Sequence, residues 1–242
     1  MPLILHIETA TRVCSVALAR NGECISLRES STPNAHSQQV TLFIDEVMNR
    51  AGFPLSALDA VAVSMGPGSY TGLRIGVAAA KGLCYSLDKP LIAVPTLQAM
   101  AWGLIDPSPP APSPRPPLLA GEEEVWCPML DARRMEVYCA IFDRDLEEIA
   151  PTDAVIVNED SFAAQLAKGV VIFGGEGAGK CIEVLGHHPN ARFVTGFETS
   201  ARHMIPLALK RFNNTTFEDP AYFEPYYLKE FVAGKPRVKG LR

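Results

Sequence analysis

Nowhere in the sequence do about 18 apolar residues run together, which excludes a membrane-spanning helix. The start, MPLILHIETA, shows no basic leader and no apolar stretch ending in a small-residue cleavage site, so the expectation is a soluble, cytoplasmic chain with no membrane contact. The six cysteines, Cys14, Cys24, Cys84, Cys127, Cys139 and Cys181, contain no CxxC pair; zinc ribbons and redox motifs lose their spacing, and the thiols read as reduced core residues. Positive charge is scarce as well. With 22 Lys and Arg against 27 Asp and Glu, the net charge of −5 argues against a protein that grips nucleic acid unaided. The exception is the end, KEFVAGKPRVKGLR, where Lys229, Lys235, Arg237, Lys239 and Arg242 face one Glu230; it reads as a solvated terminus or as a contact to an RNA backbone.

What is present is a globular composition, 48% hydrophobic, arranged in two halves. LILHIET, VCSVALA and ECISLRE read as three strands, the last two joined by Asn21-Gly22, a dipeptide suited to the positive φ of a tight hairpin. Val40, Phe43, Ile44, Val47 and Ala51 then form one stripe of a helix from Ser37 to Ala51, with Asn34 or Ser37 as cap and Gly52 as terminator. LDAVAVSMG is a buried strand, Tyr70 to Leu87 a helix and LIAVP another strand. DPSPPAPSPRPPLLA follows, with seven prolines, and marks a boundary: a first lobe over 1–105, a proline-rich linker or insertion over 106–120, and a second lobe with the tail over 121–242. VWCPMLDA, EVYCAIFD and a short strand near Ala154 to Val157, a helix from Ser161 to Lys168, the strand VVIFGG and a helix in ARHMIPLALKRF repeat the order β, β, β, α, β, α.

VVIFGGEGAGKC resembles a phosphate-cradling loop, since Gly174, Gly179 and Lys180 give the spacing GxxxxGK. The next residue departs from it: Cys181 offers a soft thiol where a hydroxyl should help hold Mg²⁺. A P-loop also needs several βα units behind it, and few residues remain.

SMGPGSYTGLRIGVAAAKGL carries more information. Gly66, Pro67 and Gly68 turn the chain sharply and Ser69 leads into a helix whose N–H groups could face an anion. That helix contains Gly72, Gly76 and Gly82, each costing about 1 kcal/mol relative to Ala. Gly72, Gly76, Ala80 and Cys84 stand four apart as a ridge of small residues, fit for close approach of another helix or of the protein's own sheet.

ETATRVCSVAL, NAHSQQ, AVSMGPGSYTGLRIGVAAAKGL, DARRMEVYCAIFD, GGEGAGK and EPYYLK, in this order, resemble the TsaB (YeaZ) family of bacteria. The resemblance implies an α/β fold of the actin, sugar kinase and Hsp70 type, with two lobes of ribonuclease H-like topology. It implies a noncatalytic scaffold in making N6-threonylcarbamoyladenosine beside the tRNA anticodon, paired with the catalytic paralogue TsaD and the ATPase TsaE, a homodimer when alone, and touching tRNA mainly through the complex. TsaD carries HxxxH where this chain has Thr96 and Met100, and ETSCDET where it has ETATRVC, so Arg12 replaces an acid; no metal and no cofactor are expected. The implied partner interface is His36, Val40, Phe43, Ile44, Val47, Tyr70, Gly72, Leu73, Arg74, Gly76, Val77, Ala80 and Cys84. Gly66, Gly68 and Ser69, with Gly174, Gly175 and Gly177, are implied turns of vestigial anion or weak nucleotide binding. The alternatives are a nucleotide-binding enzyme of the same fold and a glycoprotease-like hydrolase built on Ser69, although GPGSYTG is not the GxSxG of a nucleophile elbow.

Overall fold

Six consecutive buried residues make Leu3–Glu8 (β1) the middle of a sheet rather than its rim. Cys14–Arg20 (β2) pairs with it antiparallel and Glu23–Ser30 (β3) closes that edge, the hairpin turning at Asn21 and Gly22, both at positive φ. The molecule is described from a computed structural model that covers residues 1–32, 36–106 and 123–229. His36–Ala51 (α1) buries Val40, Phe43, Ile44 and Val47 as the periodicity required, and ends at Gly52 with φ +74°. Ser37 lies inside this helix, and Asn34 falls outside the described residues. Ala60–Gly66 (β4) runs parallel to β1; Tyr70–Leu87 (α2) follows, capped by Ser69, and leads to Leu91–Pro95 (β5) beside β4. A helix not foreseen from the sequence, Thr96–Ile105 (α3), comes next.

The second half opens with Glu123–Asp131 (β6), Glu136–Phe142 (β7) and Glu148–Ile156 (β8), an antiparallel meander. The third strand is longer than the expected Ala154 to Val157 and starts earlier. The helix expected from Ser161 to Lys168 is only one turn, Ala163–Leu166 (α4). Gly169–Gly174 (β9) lies parallel to β6, Ile182–Leu185 (α5) is again a single turn, Ala191–Val194 (β10) is an unforeseen edge strand, and Ile205–Asn213 (α6) is the last helix among the described residues.

The first sheet has the order β3-β2-β1-β4-β5 and the second β8-β7-β6-β9-β10. Numbered within each half, both read 3-2-1-4-5, so the chain is a duplicated topology. The duplication is interlocked. From α3, Leu97, Met100, Ala101 and Leu104 pack against Leu130, Ala140 and Trp126 of the second sheet. From α6, Leu207 and Ala208, with Met204 just before it, pack on Ile4, Ala60, Ala62, Ile92 and Val94 of the first. A side chain such as Leu97 contributes roughly 2 kcal/mol by this burial, so the sequence division at 105 does not separate two self-contained bodies. Of the proline-rich linker expected over 106–120, all but Asp106 lies outside the described residues, as does the tail beyond Lys229.

Candidate functional site

The same turn occurs in both lobes. Gly66 ends β4 at φ +112° and Gly175 follows β9 at φ +114°. These angles suit glycine alone, and a Cβ would stand 2.3 Å from the Tyr226 carbonyl oxygen at Gly66 and 2.4 Å from that of Met129 at Gly175. Two residues on, Gly68 rests on Ala10, in the loop that leaves β1, and Gly177 on Leu130 and Asp131, at the end of β6.

Three N–H groups of these turns are already engaged, which corrects the anion-binding expectation at those positions. Gly66 donates to Thr96 Oγ1 at 3.1 Å, Ser69 to the Ala10 carbonyl at 2.6 Å and Gly177 to the Met129 carbonyl at 3.0 Å. Gly174 is packed under Leu104. The lysine of the phosphate-like loop is occupied too. Lys180 Nζ holds Asp131 Oδ1 and the Glu136 carbonyl, while Cys181 is buried with its thiol on the Gly177 carbonyl. Ser69 Oγ accepts the Gly72 N–H at 3.3 Å as a helix cap, and the nearest histidine in the same cleft, His36, bonds the Thr11 carbonyl through Nε2 at 3.0 Å. Among the described residues of this cleft, Ser69 and His36 form no hydrolytic pair.

Between the lobes lie two adjoining clefts of about 220 and 800 Å³ that share Thr11, Arg12 and Glu176. Arg12 forms an ion pair with Glu198, and Thr11 shares a hydroxyl hydrogen bond of 2.6 Å with Thr199, so the first loop is tied to the chain after β10. The acids respond to their surroundings. Burial opposes ionisation of Asp131, yet the Lys180 ammonium and the Arg133 N–H overcome it and hold the carboxyl below its usual range. Burial and the neighbouring Asp131 raise Glu176. Glu8, at the end of β1, is fully buried and pushed up to about 7, the Ala10 N–H and the Ser64 hydroxyl offsetting only part of the burial. Among the described residues, no group of three His, Cys, Asp or Glu side chains is placed to hold a metal ion.

The interface residues inferred from the sequence divide sharply. Val40, Phe43, Ile44, Val47, Val77, Ala80 and Cys84 are buried in the chain's own first core, and Leu73 is fully buried too. Gly72 and Gly76 face inward as well: a Cβ would fall 2.1 Å from the Thr9 carbonyl oxygen and 2.2 Å from Thr9 Oγ1. The ridge of small residues therefore seats α2 on the first loop and sheet, and these residues cannot meet another subunit. The physical reason is that the ridge lies on the same face as Leu73 and Val77, which the core claims. Arg74 is exposed, with Tyr70 and His36 half-buried at the surface.

Of the inferred residues α2 presents only Arg74 fully outward; beside it stand Thr71, Ala78, Gly82 and Tyr85, flanked by half-buried Ile75, Ala79 and Leu83. Tyr85 is 89% exposed and Leu42, on the outer side of α1, 57%. Among the described residues, no atom outside the local helix lies within 4 Å of a Cβ built at Gly82. This row was legible in principle, because Ala78 and Gly82 stand about half a turn from the Gly72–Gly76 ridge. Thr11, Thr199 and Glu176 were not singled out; their proximity depends on the crossing of the two halves, which leaves no local pattern.

Two sheets of order 3-2-1-4-5 facing each other across a cleft, with a glycine turn on each side, define the actin, sugar kinase and Hsp70 class of α/β proteins. Residues 30–229 match the family described as TsaD: tRNA N6-adenosine threonylcarbamoyltransferase. The chain is 31% identical to the tRNA threonylcarbamoyladenosine biosynthesis protein TsaB of Escherichia coli, over 96% of each chain. A tRNA N6-adenosine threonylcarbamoyltransferase of Geobacillus thermodenitrificans is 37% identical over 38% of this chain and 31% of its own. The crystal structure of YeaZ from Pseudomonas aeruginosa superposes with a TM-score of 0.76 at 25% identity, covering 94% of this chain and all of the other. The chain belongs to the TsaB (YeaZ) family.

Proposed function

We propose that this chain is a noncatalytic scaffold subunit in the biosynthesis of threonylcarbamoyladenosine in tRNA, working in the cytoplasm and docking on a TsaD paralogue through the outer faces of α1 and α2. The role in this modification is supported by the TsaB relative that aligns end to end. The observation that carries the docking reading is the outward row of α2, where Ala78 and Gly82 leave the backbone bare between Ile75, Leu83 and Tyr85. Such a surface lets a second helix approach closely and bury apolar area. The same face takes a second copy of the chain when the paralogue is absent; TsaE joins the assembled pair, and tRNA is met through the assembly.

The noncatalytic part of the reading is supported by what fills the cleft. Thr96 and Met100 stand buried at the positions of the TsaD histidines, Thr96 serving the Gly66 N–H and Met100 the packing between sheets. Lys180 is held by Asp131 rather than left open for a phosphate. Reconstitution tests the reading: tRNA modification is measured with the paralogue alone, with this chain alone and with both. Activity that needs both supports it. Modification by this chain alone, or tight Mg²⁺-dependent ATP binding by it, overturns the noncatalytic assignment.

A further inference from the structure

After α6 the chain returns across the first lobe and reaches the second at Lys229. Glu218 N–H donates to the Leu91 carbonyl at 2.9 Å and forms an antiparallel bridge on the outer side of β5. Phe223 is buried in the first core, and Lys81 of α2 bonds the carbonyls of Ala221 and Phe223 at 3.3 and 3.0 Å. Tyr226 N–H meets the Met65 carbonyl at 2.7 Å, and its own carbonyl fills the space left by the missing side chain of Gly66. The Tyr227 ring lies 4.8 Å from that of Tyr70, at the start of α2. Lys229 Nζ then pairs with Glu136 Oε1 on β7, in the other lobe.

Residues 218–229 thus visit β5, both ends of the α2 packing, the Gly66 turn and β7 while forming no helix or strand of their own. A segment with so little regular structure gains its order from these anchor points, and their order along the chain runs from one lobe to the other. None of them occupies Ala78 or Gly82.

We propose that residues 218–229 are a strap that fixes the N-terminal end of α2 against the second lobe, and that this fixation governs how firmly α2 holds its partner. The partner clause rests on the docking role assigned to α2 above. Close helix packing tolerates little play, so an α2 that rocks at its N-terminus loses affinity although its outer face is unaltered.

The test uses the full chain with spin labels at Thr71→Cys on α2 and Asp153→Cys on β8, in a Cys24→Ser background that removes the exposed native thiol. Tyr227→Ala with Lys229→Ala releases the two distal anchors and leaves Phe223 in the core. The label–label distance distribution should become at least about twice as wide, and affinity for the paralogue, measured without labels, should fall about tenfold. Ala78→Trp is the contrasting variant, expected to lose affinity with the distribution unchanged. A distribution unaltered by the double variant overturns the strap. A widened distribution with unchanged affinity overturns its control of docking. Unchanged affinity in Ala78→Trp removes the docking role itself while the mechanical result stands.

Discussion

The two lobes share a strand order and a turn, and differ in their helices. The first carries helices of 16 and 18 residues between its strands, where the second has single turns of four. A four-residue helix cannot sustain itself in water and lasts only by packing on its sheet. The long pair has a buried face that serves the first core and a second face left over. The comparison teaches that the strand skeleton and glycine turns are what the fold needs, while the long helices exceed that need. The lobes differ in the acid that ends their first strand as well: Glu8, opposite Ser15 in the first hairpin, is buried, whereas Asp131, opposite Val137 in the second, is exposed.

The largest effect should come from breaking what the lobes have in common. Gly66→Val and Gly175→Val each force a β-branched side chain into positive φ against a carbonyl oxygen, and both should cost about 4 kcal/mol or more in denaturant unfolding. A large cost at one and a negligible cost at the other would break the equivalence. Gly76→Leu belongs to the same class, because Thr9 lies where the side chain would go; the fold should weaken whether or not a partner is present.

Glu8 sharpens the contrast through pH. Its folded value of about 7 exceeds the ordinary 4.5, so between these values the folded chain holds a proton that the unfolded chain has released. The associated stability is complete below 4.5 and lost as pH rises to about 7. Glu8→Gln should match the parent near pH 4.5 and exceed it by about 3 kcal/mol at pH 8, read from denaturant midpoints. Buried His6 and His203, both lowered to about 4, act in the opposite sense, their stability being gained as pH rises from about 4 to 6.5. The parent stability profile should then peak near pH 6.5, and an Asp or Glu effect alone would not place it there.

The smaller effects lie on the outer surface. Gly82→Ala meets open space in a helix interior and should stabilise by about 1 kcal/mol while weakening the partner contact, measured by unfolding and by calorimetric titration. Arg12→Ala breaks an exposed ion pair with Glu198 and should cost less than about 1 kcal/mol.

Much of the architecture could be read from local pattern. The Val40–Val47 stripe, the Asn21-Gly22 hairpin and the bounds of α2 and β5 appear where periodicity and turn chemistry put them. The unread helix α3 is apolar on nearly every side, since it lies between two sheets, and so shows no amphipathic rhythm. β10 is four residues long, too short to declare itself. At the candidate site the residue types were legible and their orientation was not. Gly72, Gly76, Ala80 and Cys84 were seen as a ridge, but a stripe of small residues is silent about whether sheet or partner fills it, and Thr9 became its neighbour only through the long-range pairing of β1 with β4.

The crossing of α3 and α6 bears on how the chain is made. As synthesis proceeds from the N-terminus, all five strands of the first sheet leave the ribosome long before α6 does, and the surface formed by Ile4, Ala60, Ala62, Ile92 and Val94 waits uncovered through roughly a hundred further residues. A truncated product ending at the proline-rich stretch would keep that surface bare for good, and should aggregate or bind chaperone where the complete polypeptide does not.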